Sequence, residues 1–284
     1  MSRIAYVNGR YVPHRAARVH IEDRGYQFAD AVYEVIAIAN GKLVDGDGHL
    51  DRLDRSLREL RIAQPMTRRA LEAVMSETIR RNGIRNGSIY MQLSRGVAPR
   101  DHPFPANPKT QVVMTAKHAA AASSKVVEDG VKVITQPDIR WQRCDVKSVS
   151  LLPNILAKQA AREAGAYETF MVDRDGMVTE GSSTNAWIVD ADGAIVTRPA
   201  TNAILDGITR RRVIDLARKS GIKVIERPFS VDELKRAREV FLTSTSAYVT
   251  PVTQVDDRTI ANGKPGSTTL ALRERYIAFM AQNA

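Results

Sequence analysis

Three features are scarce in this sequence: cysteine, clustered histidine and long apolar runs. A single cysteine, Cys144, among 284 residues excludes an internal disulfide and fits a reducing compartment. Five scattered histidines give no zinc-type spacing. No apolar stretch approaches the roughly 18 residues needed to span a bilayer, and the first residues lack the apolar stretch of a signal peptide. We therefore expect a cytoplasmic protein with no metal site and no membrane contact.

The chain is basic, with a net charge of +10, but it lacks the pattern of a nucleic-acid-binding surface. Its arginines are dispersed over predicted helix faces, as Arg52, Arg55 and Arg58 illustrate. No aromatic side chains alternate with a basic patch, as base stacking would require. We interpret the charge as solvated helix surface, part of which can attract anionic ligands. The apolar fraction of 43% and the length predict a globular chain of one large or two ordinary domains.

The hydrophobic pattern predicts two segments that each mix strands with helices. In the first, Asn8-Gly9 between two apolar arms predicts a hairpin, and residues 31–39 predict a strand that turns at Asn40-Gly41. Leucines from Leu50 to Leu60 recur at helical spacing, and Thr67 is the expected N-cap of a helix that runs to Gly83. Further strands are expected at 88–94, 110–116, 130–136, 167–172, 185–198, 222–226 and 239–245, and further helices at 153–164, 208–220 and 267–281.

The run of small residues from His118 to Ser124 has no periodic pattern and predicts a linker between domains. We place this linker at 119–125, a smaller N-terminal domain at 1–118 and a larger C-terminal domain at 126–284. Most of the candidate chemistry then falls in the second domain.

Lys147 is the first candidate for chemistry, because it stands among small and apolar residues. Desolvation can hold such an amine partly neutral, and a neutral amine can attack a carbonyl. Glu180, in the run from Thr179 to Asn185, stands among small hydroxyl residues and suits holding a proton on a ring nitrogen. Together they predict a lysine that forms a Schiff base with pyridoxal 5'-phosphate (PLP) and an acid that pairs with its pyridinium. We interpret Cys144, close to Lys147 in sequence, as packing rather than redox chemistry.

PLP also needs its phosphate held by dipoles and a cation, and three segments can supply them. Residues 206–210 open a predicted helix, whose free backbone N–H groups form an anion site. Within it, Gly207 permits close approach of the backbone and Thr209 adds a hydroxyl. Residues 243–246 follow a predicted strand, so their hydroxyls can converge on the same oxygens. Arg52, one turn into its predicted helix, can supply positive charge.

Several segments, in order along nearly the whole chain, resemble class IV (fold-type IV) PLP-dependent aminotransferases. They are Asp23 to Phe28, Tyr33-Glu34, His49 to Leu53, the neighbours of Lys147, Thr179 to Ser183, Gly207 to Arg210 and Thr243 to Thr245. The resemblance implies a mixed α/β (α+β) two-domain fold with a pseudo-barrel sheet in the larger domain. It also implies that Lys147 carries the Schiff base and that Glu180 pairs with the pyridine nitrogen. By the same resemblance Leu205 packs against the cofactor ring, and the phosphate is bound by Arg52, Ile208, Thr209, Ser244 and Thr245.

Within this family, residues 95–102 carry the Arg-x-His pair typical of the D-amino-acid aminotransferase branch. The resemblance implies a homodimer in which Arg100 and His102 reach across the interface and bind the substrate α-carboxylate together with Tyr33. A guanidinium suits this task because it grips a carboxylate bidentately. The expected reaction is a ping-pong transamination between a D-amino acid, such as D-alanine or D-glutamate, and a 2-oxo acid such as 2-oxoglutarate. Three alternatives share the fold: a branched-chain L-amino-acid aminotransferase, an (R)-amine transaminase and an aminodeoxychorismate lyase.

Overall fold

The computed structural model describes residues 3–119 and 124–282 of the chain. These residues form two compact units. The described part of the first unit comprises residues 3–119, 146–150 and 280–282, and that of the second comprises 124–145 and 151–279. The segment that carries Lys147 thus belongs by its contacts to the first unit. The predicted linker at 119–125 falls largely on residues 120–123, outside the described residues, and the predicted domain limits remain a proposal.

The first unit contains one antiparallel sheet. Its described strands are β1 (Ile4–Val7), β2 (Arg10–Pro13), β3 (Ala31–Ala39), β4 (Lys42–Leu43), β5 (Gly87–Ser94) and β6 (Gln111–His118). They lie in the order β2-β1-β6-β5-β3-β4. A short 3-10 turn, His14–Ala16, precedes the helices α1 (Arg24–Phe28), α2 (Gly46–Glu59) and α3 (Arg68–Arg81). The apolar sides of α2 and α3 and one face of the sheet form a continuous buried core, which includes Ile36, Leu53, Leu57, Met75 and Met91.

The turn, strand and helix-cap predictions in this unit are confirmed. Asn8 and Gly9 have φ values of 48° and 91°, which the tight hairpin turn between β1 and β2 requires. β3 spans residues 31–39 and turns at Asn40-Gly41 into β4, as predicted. Thr67 caps α3 because its side-chain oxygen accepts a hydrogen bond from Ala70 N–H at 3.3 Å.

The helix that carries Arg52 starts earlier than predicted. Asp45 adopts a left-handed conformation (φ 52°), and α2 begins at the next residue, Gly46. Arg52 therefore lies about two turns into the helix rather than one. Leu60 is the C-terminal cap rather than a helical residue. Arg52 is consequently remote from the free N–H groups of the first turn, and any role it has must come from its side chain.

The second unit contains one mixed sheet. Its described strands are β7 (Val131–Pro137), β8 (Glu168–Val172), β9 (Val178–Gly181), β10 (Asn185–Val189), β11 (Ile195–Thr197), β12 (Val224–Glu226), β13 (Glu239–Ser244), β14 (Tyr248–Val255) and β15 (Arg258–Thr259). Their order is β12-β11-β10-β13-β14-β7-β8-β9, with β15 paired to β14. The described helices are α4 (Ser124–Glu128), α5 (Leu152–Glu163), α6 (Ile208–Lys219), α7 (Val231–Arg236) and α8 (Ser267–Gln282). Within residues 3–119 and 124–282, no helix combines the length and apolarity that crossing a membrane requires.

The prediction of one continuous strand over residues 185–198 is wrong. These residues contain two antiparallel strands, β10 and β11, which form a hairpin. Asp190 makes the turn: its Oδ1 accepts hydrogen bonds from the N–H groups of Asp192 at 3.0 Å and Ala194 at 2.8 Å. Gly193, with a φ of 84°, completes it. The pattern also fails to predict β9, which puts Glu180 on a buried strand.

Candidate functional site

Lys147 lies on a segment that pairs with the start of β3. Its carbonyl accepts a hydrogen bond from Tyr33 N–H at 3.0 Å, and Val149 N–H donates to the carbonyl of Ala31 at 3.1 Å. Lys147 N–H donates to Ser56 Oγ at 3.3 Å. The amine Nζ lies 4.2 Å from the centre of the Tyr33 ring. Strand-like pairing therefore fixes the backbone of the predicted Schiff-base lysine, and its amine rests on the ring of a predicted substrate residue.

Glu34, which follows Tyr33 on β3, is fully buried between Arg52 and His49. Arg52 donates from Nε to Oε1 and from Nη2 to Oε2, both at 2.8 Å, and His49 Nδ1 lies 2.7 Å from Oε2. Burial alone would raise the pKa of Glu34, but Arg52 and His49 lower that pKa to about 2. Burial, with Arg52 and Lys147 nearby, lowers the pKa of His49 in spite of Glu34. A neutral His49 thus faces an ionised Glu34 that fixes the predicted phosphate ligand Arg52.

Glu180 is held by three residues of the second unit. Its Oε1 accepts hydrogen bonds from Leu205 N–H at 3.1 Å and from Nη1 of Arg140, and its Oε2 accepts one from Asn185 Nδ2 at 3.1 Å. Arg140 also donates from Nη2 to Asp138 Oδ2 at 2.6 Å. Burial alone would lower the pKa of Arg140, but Glu180 and Asp138 raise it. Arg140 therefore stays charged and orients the carboxylate that was predicted to meet a pyridine nitrogen.

Asn185 joins Glu180 to the loop that precedes α6. Besides its bond to Glu180, the Asn185 amide donates to the carbonyl of Leu205 at 2.9 Å. A Cβ on Gly207 would overlap Asn185 Oδ1, so only glycine allows the loop to approach this closely. The predicted ring contact Leu205 is thereby fixed at both its N–H and its carbonyl. Neither Asn185 nor Arg140 was identified as a site residue from the sequence, although Asn185 ends the quoted Glu180 run.

The predicted phosphate ligands of the second unit lie at the start of α6 and the end of β13. α6 begins at Ile208 without a side-chain cap, so its first N–H groups point out of the helix start. Thr209 is buried, and Ser244 and Thr245 are half-buried at the strand end. Asn185 pairs with Thr243 at the end of β13 and lies against Gly207 at the start of α6, which brings these two segments together. Backbone N–H groups beside hydroxyls form a donor set that fits a phosphate monoester.

Arg100 and His102 lie on the loop between β5 and β6, and both side chains are exposed. The Arg100 guanidinium lies 5.0 Å from the centre of the Phe28 ring, and the His102 ring lies 5.5 Å from it. The structure thus places both predicted substrate residues next to one aromatic ring. They belong to the first unit, as do Tyr33 and Arg52.

Cys144 is half-buried, and its Sγ lies 3.1 Å from the carbonyl of Trp141. Burial raises the pKa of its thiol to about 11. The thiol is therefore protonated at neutral pH, as a packing role requires.

The chain belongs to a known enzyme family: the model of amino-transferase class IV matches residues 31–255. It is 43% identical over 262 residues to a D-alanine aminotransferase of Bacillus licheniformis, covering 92% of both chains. It is 40% identical over 273 residues to a D-alanine aminotransferase of Listeria innocua, covering 95% of this chain and 94% of that one.

Among solved structures, the chain is similar to the branched-chain amino acid aminotransferase of Escherichia coli, with a TM-score of 0.92, 25% identity, and coverage of 100% of this chain and 96% of the other. It is also similar to the branched-chain aminotransferase of the archaeon Thermoproteus uzoniensis with norvaline, with a TM-score of 0.88, 27% identity, and coverage of 99% and 96%. A further branched-chain enzyme, solved with pyridoxamine 5'-phosphate, aligns with a TM-score of 0.92 and 30% identity. The family and the mixed α/β fold class predicted from the sequence are confirmed.

Proposed function

We propose that this protein is a PLP-dependent aminotransferase that transfers the amino group of a D-amino acid to a 2-oxo acid. D-Alanine and D-glutamate are the proposed donors, and 2-oxoglutarate is the proposed acceptor. The observation that carries the proposal is the 43% identity to a D-alanine aminotransferase along nearly the whole length of both chains. The two buried carboxylate clusters and the Lys147 segment give this chain the residue types that such an enzyme needs.

The residues of the chain fit PLP. When bound, PLP supplies an electron sink and an aldehyde carbon that carries the amino group between the two half-reactions. We assign covalent attachment to Lys147 and protonation of the ring nitrogen to Glu180. Leu205 packs against the ring. The phosphate ligands are Arg52, Ile208, Thr209, Ser244 and Thr245.

Lys147 also moves the proton in this proposal. With the cofactor bound, its amine would take the proton from Cα of the substrate and later give a proton back, acting first as base and then as acid. The backbone pairing of Lys147 with β3 and the Tyr33 ring next to its amine restrict the positions the amine can take. Glu180 must stay ionised to hold a proton on the ring nitrogen, and Arg140 supports that state.

Substrate recognition is assigned to Tyr33, Arg100 and His102, which bind the α-carboxylate. We propose a homodimer in which Arg100 and His102 are contributed across the interface. Two apolar side chains near this loop support the idea, because Ile21 is 76% and Tyr26 75% exposed in the single chain. The single cysteine, Cys144, supports a cytoplasmic location.

A branched-chain L-amino-acid aminotransferase is the second candidate, because two solved structures that align with the entire chain carry that name. Both enantiomers of an amino acid can present their Cα–H to one lysine if the carboxylate and the side chain exchange places. The position of the carboxylate ligand therefore decides the handedness. Arg100 and His102 favour the D form.

The deciding experiment is a half-reaction of purified enzyme loaded with PLP. D-Alanine should remove the visible absorption of the lysine-bound cofactor, and L-leucine should not. A faster reaction with L-leucine would contradict the D assignment. Borohydride reduction followed by peptide mapping should place the cofactor on Lys147, whereas a label on another residue would contradict the site. Lys147→Ala should abolish the absorption, and Lys219→Ala, at the exposed end of α6, should keep it.

A further inference from the structure

We propose that Arg24, Asp30 and Arg95 position the loop that carries Arg100 and His102, and thereby set the affinity for the substrate carboxylate. We call these three residues the Arg24 network and residues 96–105 the Arg-His loop. The inference rests on the proposed function, because it assumes that Arg100 and His102 bind substrate. It adds three positioning residues that need not touch the substrate.

Arg24 holds the backbone of the Arg-His loop. Its guanidinium donates to the carbonyls of three consecutive residues: Asp101 at 2.6 Å, His102 at 3.1 Å and Pro103 at 3.3 Å. Arg24 is only 4% exposed. One planar group thus fixes the chain on both sides of the predicted substrate residue His102, and its hydrogen bonds to backbone do not depend on the loop side chains.

Asp30 orients Arg24 and joins it to Arg95. It accepts hydrogen bonds from Arg24 Nε at 2.8 Å and from Arg95 Nε and Nη2 at 2.7 and 2.9 Å. Arg95 also donates to the carbonyls of residues 60–61 and stacks 3.6 Å from the centre of the Phe104 ring. Burial alone would raise the pKa of Asp30, but the two arginines hold that pKa below its usual range. Asp30 therefore stays ionised, and the network ties the loop to the end of α2.

Helix α1 contacts the side chains as well as the backbone of the loop. Phe28 follows Arg24 by four residues, so both lie on the same side of the helix. The Phe28 ring is 4.9 Å from the Arg24 guanidinium and faces Arg100 and His102 at 5.0 and 5.5 Å. The two proposed carboxylate ligands thus share one aromatic support.

This arrangement has an energetic consequence for substrate binding. Ordering a long side chain on binding costs free energy, and ordering the backbone that carries it adds to that cost. Arg100 and His102 are exposed in the single chain, so without the network their loop would be less ordered before the substrate binds. Loss of the network should therefore raise KM for the amino acid, while leaving the bound cofactor and kcat nearly unchanged.

The first test measures the loop directly, by hydrogen exchange in the PLP-loaded enzyme. Arg24→Lys keeps the positive charge beside Asp30 but removes the fork that reaches three carbonyls. Exchange within residues 97–105 should become faster by on the order of tenfold. Arg68→Lys is the matched control, because Arg68 makes surface ion pairs with Asp47 and Asp51 in the same unit. Unchanged exchange in Arg24→Lys would overturn the proposal.

The second test is kinetic. Arg24→Lys should raise KM for D-alanine by on the order of tenfold and change kcat by less than about twofold. In a background that carries both Arg100→Ala and His102→Ala, the same change should add less than about twofold, because both residues whose position it controls are gone. An independent, multiplicative effect in that background would show that Arg24 does not act through Arg100 and His102 and would overturn the proposal.

A further variant covers the case in which Arg24→Lys does not fold. Phe28→Leu leaves the hydrogen bonds of the Arg24 network in place but removes the ring that faces Arg24, Arg100 and His102, and it should also raise KM without loss of cofactor. An unchanged KM would count against the proposal. If Arg100→Ala itself leaves KM unchanged, the substrate assignment is the part that fails, and the exchange experiment still decides whether Arg24 holds the loop.

Discussion

Two buried glutamates invite comparison, one in each unit. Glu34 and Glu180 both stand next to an arginine whose side chain is largely buried, and both belong to segments typical of the family. Glu34 faces one guanidinium and a neutral histidine, and both its oxygens accept hydrogen bonds from side chains. Glu180 shares its guanidinium with a second carboxylate, Asp138, and its other donors are an amide and a backbone N–H.

The difference lies in charge balance rather than in burial. The Glu34 cluster has one carboxylate for one guanidinium, so its charges compensate each other and the pair can serve as an anchor. The Glu180 cluster has two carboxylates for one guanidinium. Its surplus negative charge can stabilise a further positive charge, such as a protonated ring nitrogen. We therefore expect substitutions of Glu180 to affect catalysis and substitutions of Glu34 to affect stability.

The largest expected effect is that of Glu180→Gln on turnover. A neutral amide cannot hold a proton on the ring nitrogen, so kcat should fall by on the order of 10³-fold. The rate of the half-reaction at saturating D-alanine measures this. Asp138→Asn is the informative partner, because it removes the surplus negative charge but leaves Glu180 paired with Arg140, and it should lower kcat by less than Glu180→Gln does. Nearly full activity of Glu180→Gln would contradict a catalytic role for Glu180.

Glu34→Gln should instead lower the free energy of unfolding, by about 3 kcal/mol, because it leaves the buried Arg52 without its counter-charge. Urea denaturation of the cofactor-free protein near neutral pH measures this. Glu163→Gln, on the exposed side of α5, is the control and should change the free energy by less than about 0.5 kcal/mol. Equal stability of the two variants would contradict an anchoring role for Glu34.

The stabilisation lost in Glu34→Gln should depend on pH, and it should become smaller as the pH falls. The pKa of Glu34 is about 2 in the folded protein and 4.5 in an ordinary environment, so the unfolded state binds its proton first as the pH falls. Its stabilisation is complete above about pH 4.5 and should shrink by about 2 kcal/mol by about pH 3. Unfolding curves of the wild type and Glu34→Gln should therefore converge on acidification. Parallel curves would show that Glu34 is not the group responsible.

A smaller effect is expected from Gly207→Ala, which tests the geometry around Glu180. The added Cβ would overlap Asn185 Oδ1 and displace the amide that holds both Glu180 and Leu205. We expect weaker cofactor binding by about tenfold, or about 1.4 kcal/mol. In the Asn185→Ala background the same substitution should cost little further, since the overlap is gone. Titrating the cofactor-free variants with PLP, followed by visible absorption, measures the affinity in both backgrounds. Additive losses of affinity would argue against the contact between Gly207 and Asn185.

Local signals in the sequence predict much of this fold. The Asn8-Gly9 turn, the strand at 31–39 and the Thr67 cap are each specified by a few neighbouring residues, and the structure agrees with them. The predicted helix at 208–220 agrees with α6 to within a residue for the same reason. The start of helix α2 was predicted too late, because its first turn, Gly46 to His49, lacks the apolar spacing that marks the rest of the helix.

The partners of the candidate site could not be found in this way. Arg140 lies forty residues from Glu180 in sequence, and no local pattern distinguishes it from the other arginines of a basic chain. Arg24 likewise reaches a loop more than seventy residues away. His49 and Glu34 stood inside the quoted family segments, yet only the structure shows that they contact each other. Ion pairs between distant segments are set by tertiary packing, which residue spacing does not encode.

The pairing of residues 146–150 with β3 has a consequence for protein engineering. A fragment that begins at residue 124 would contain Lys147 but would lack the strand, the tyrosine ring and the serine hydroxyl against which that lysine is set. In chimaeras between relatives, exchanging the amino-terminal half would likewise give the lysine a foreign backbone partner. In chimaeras that keep their activity, residues 146–150 and β3 should therefore come from the same parent.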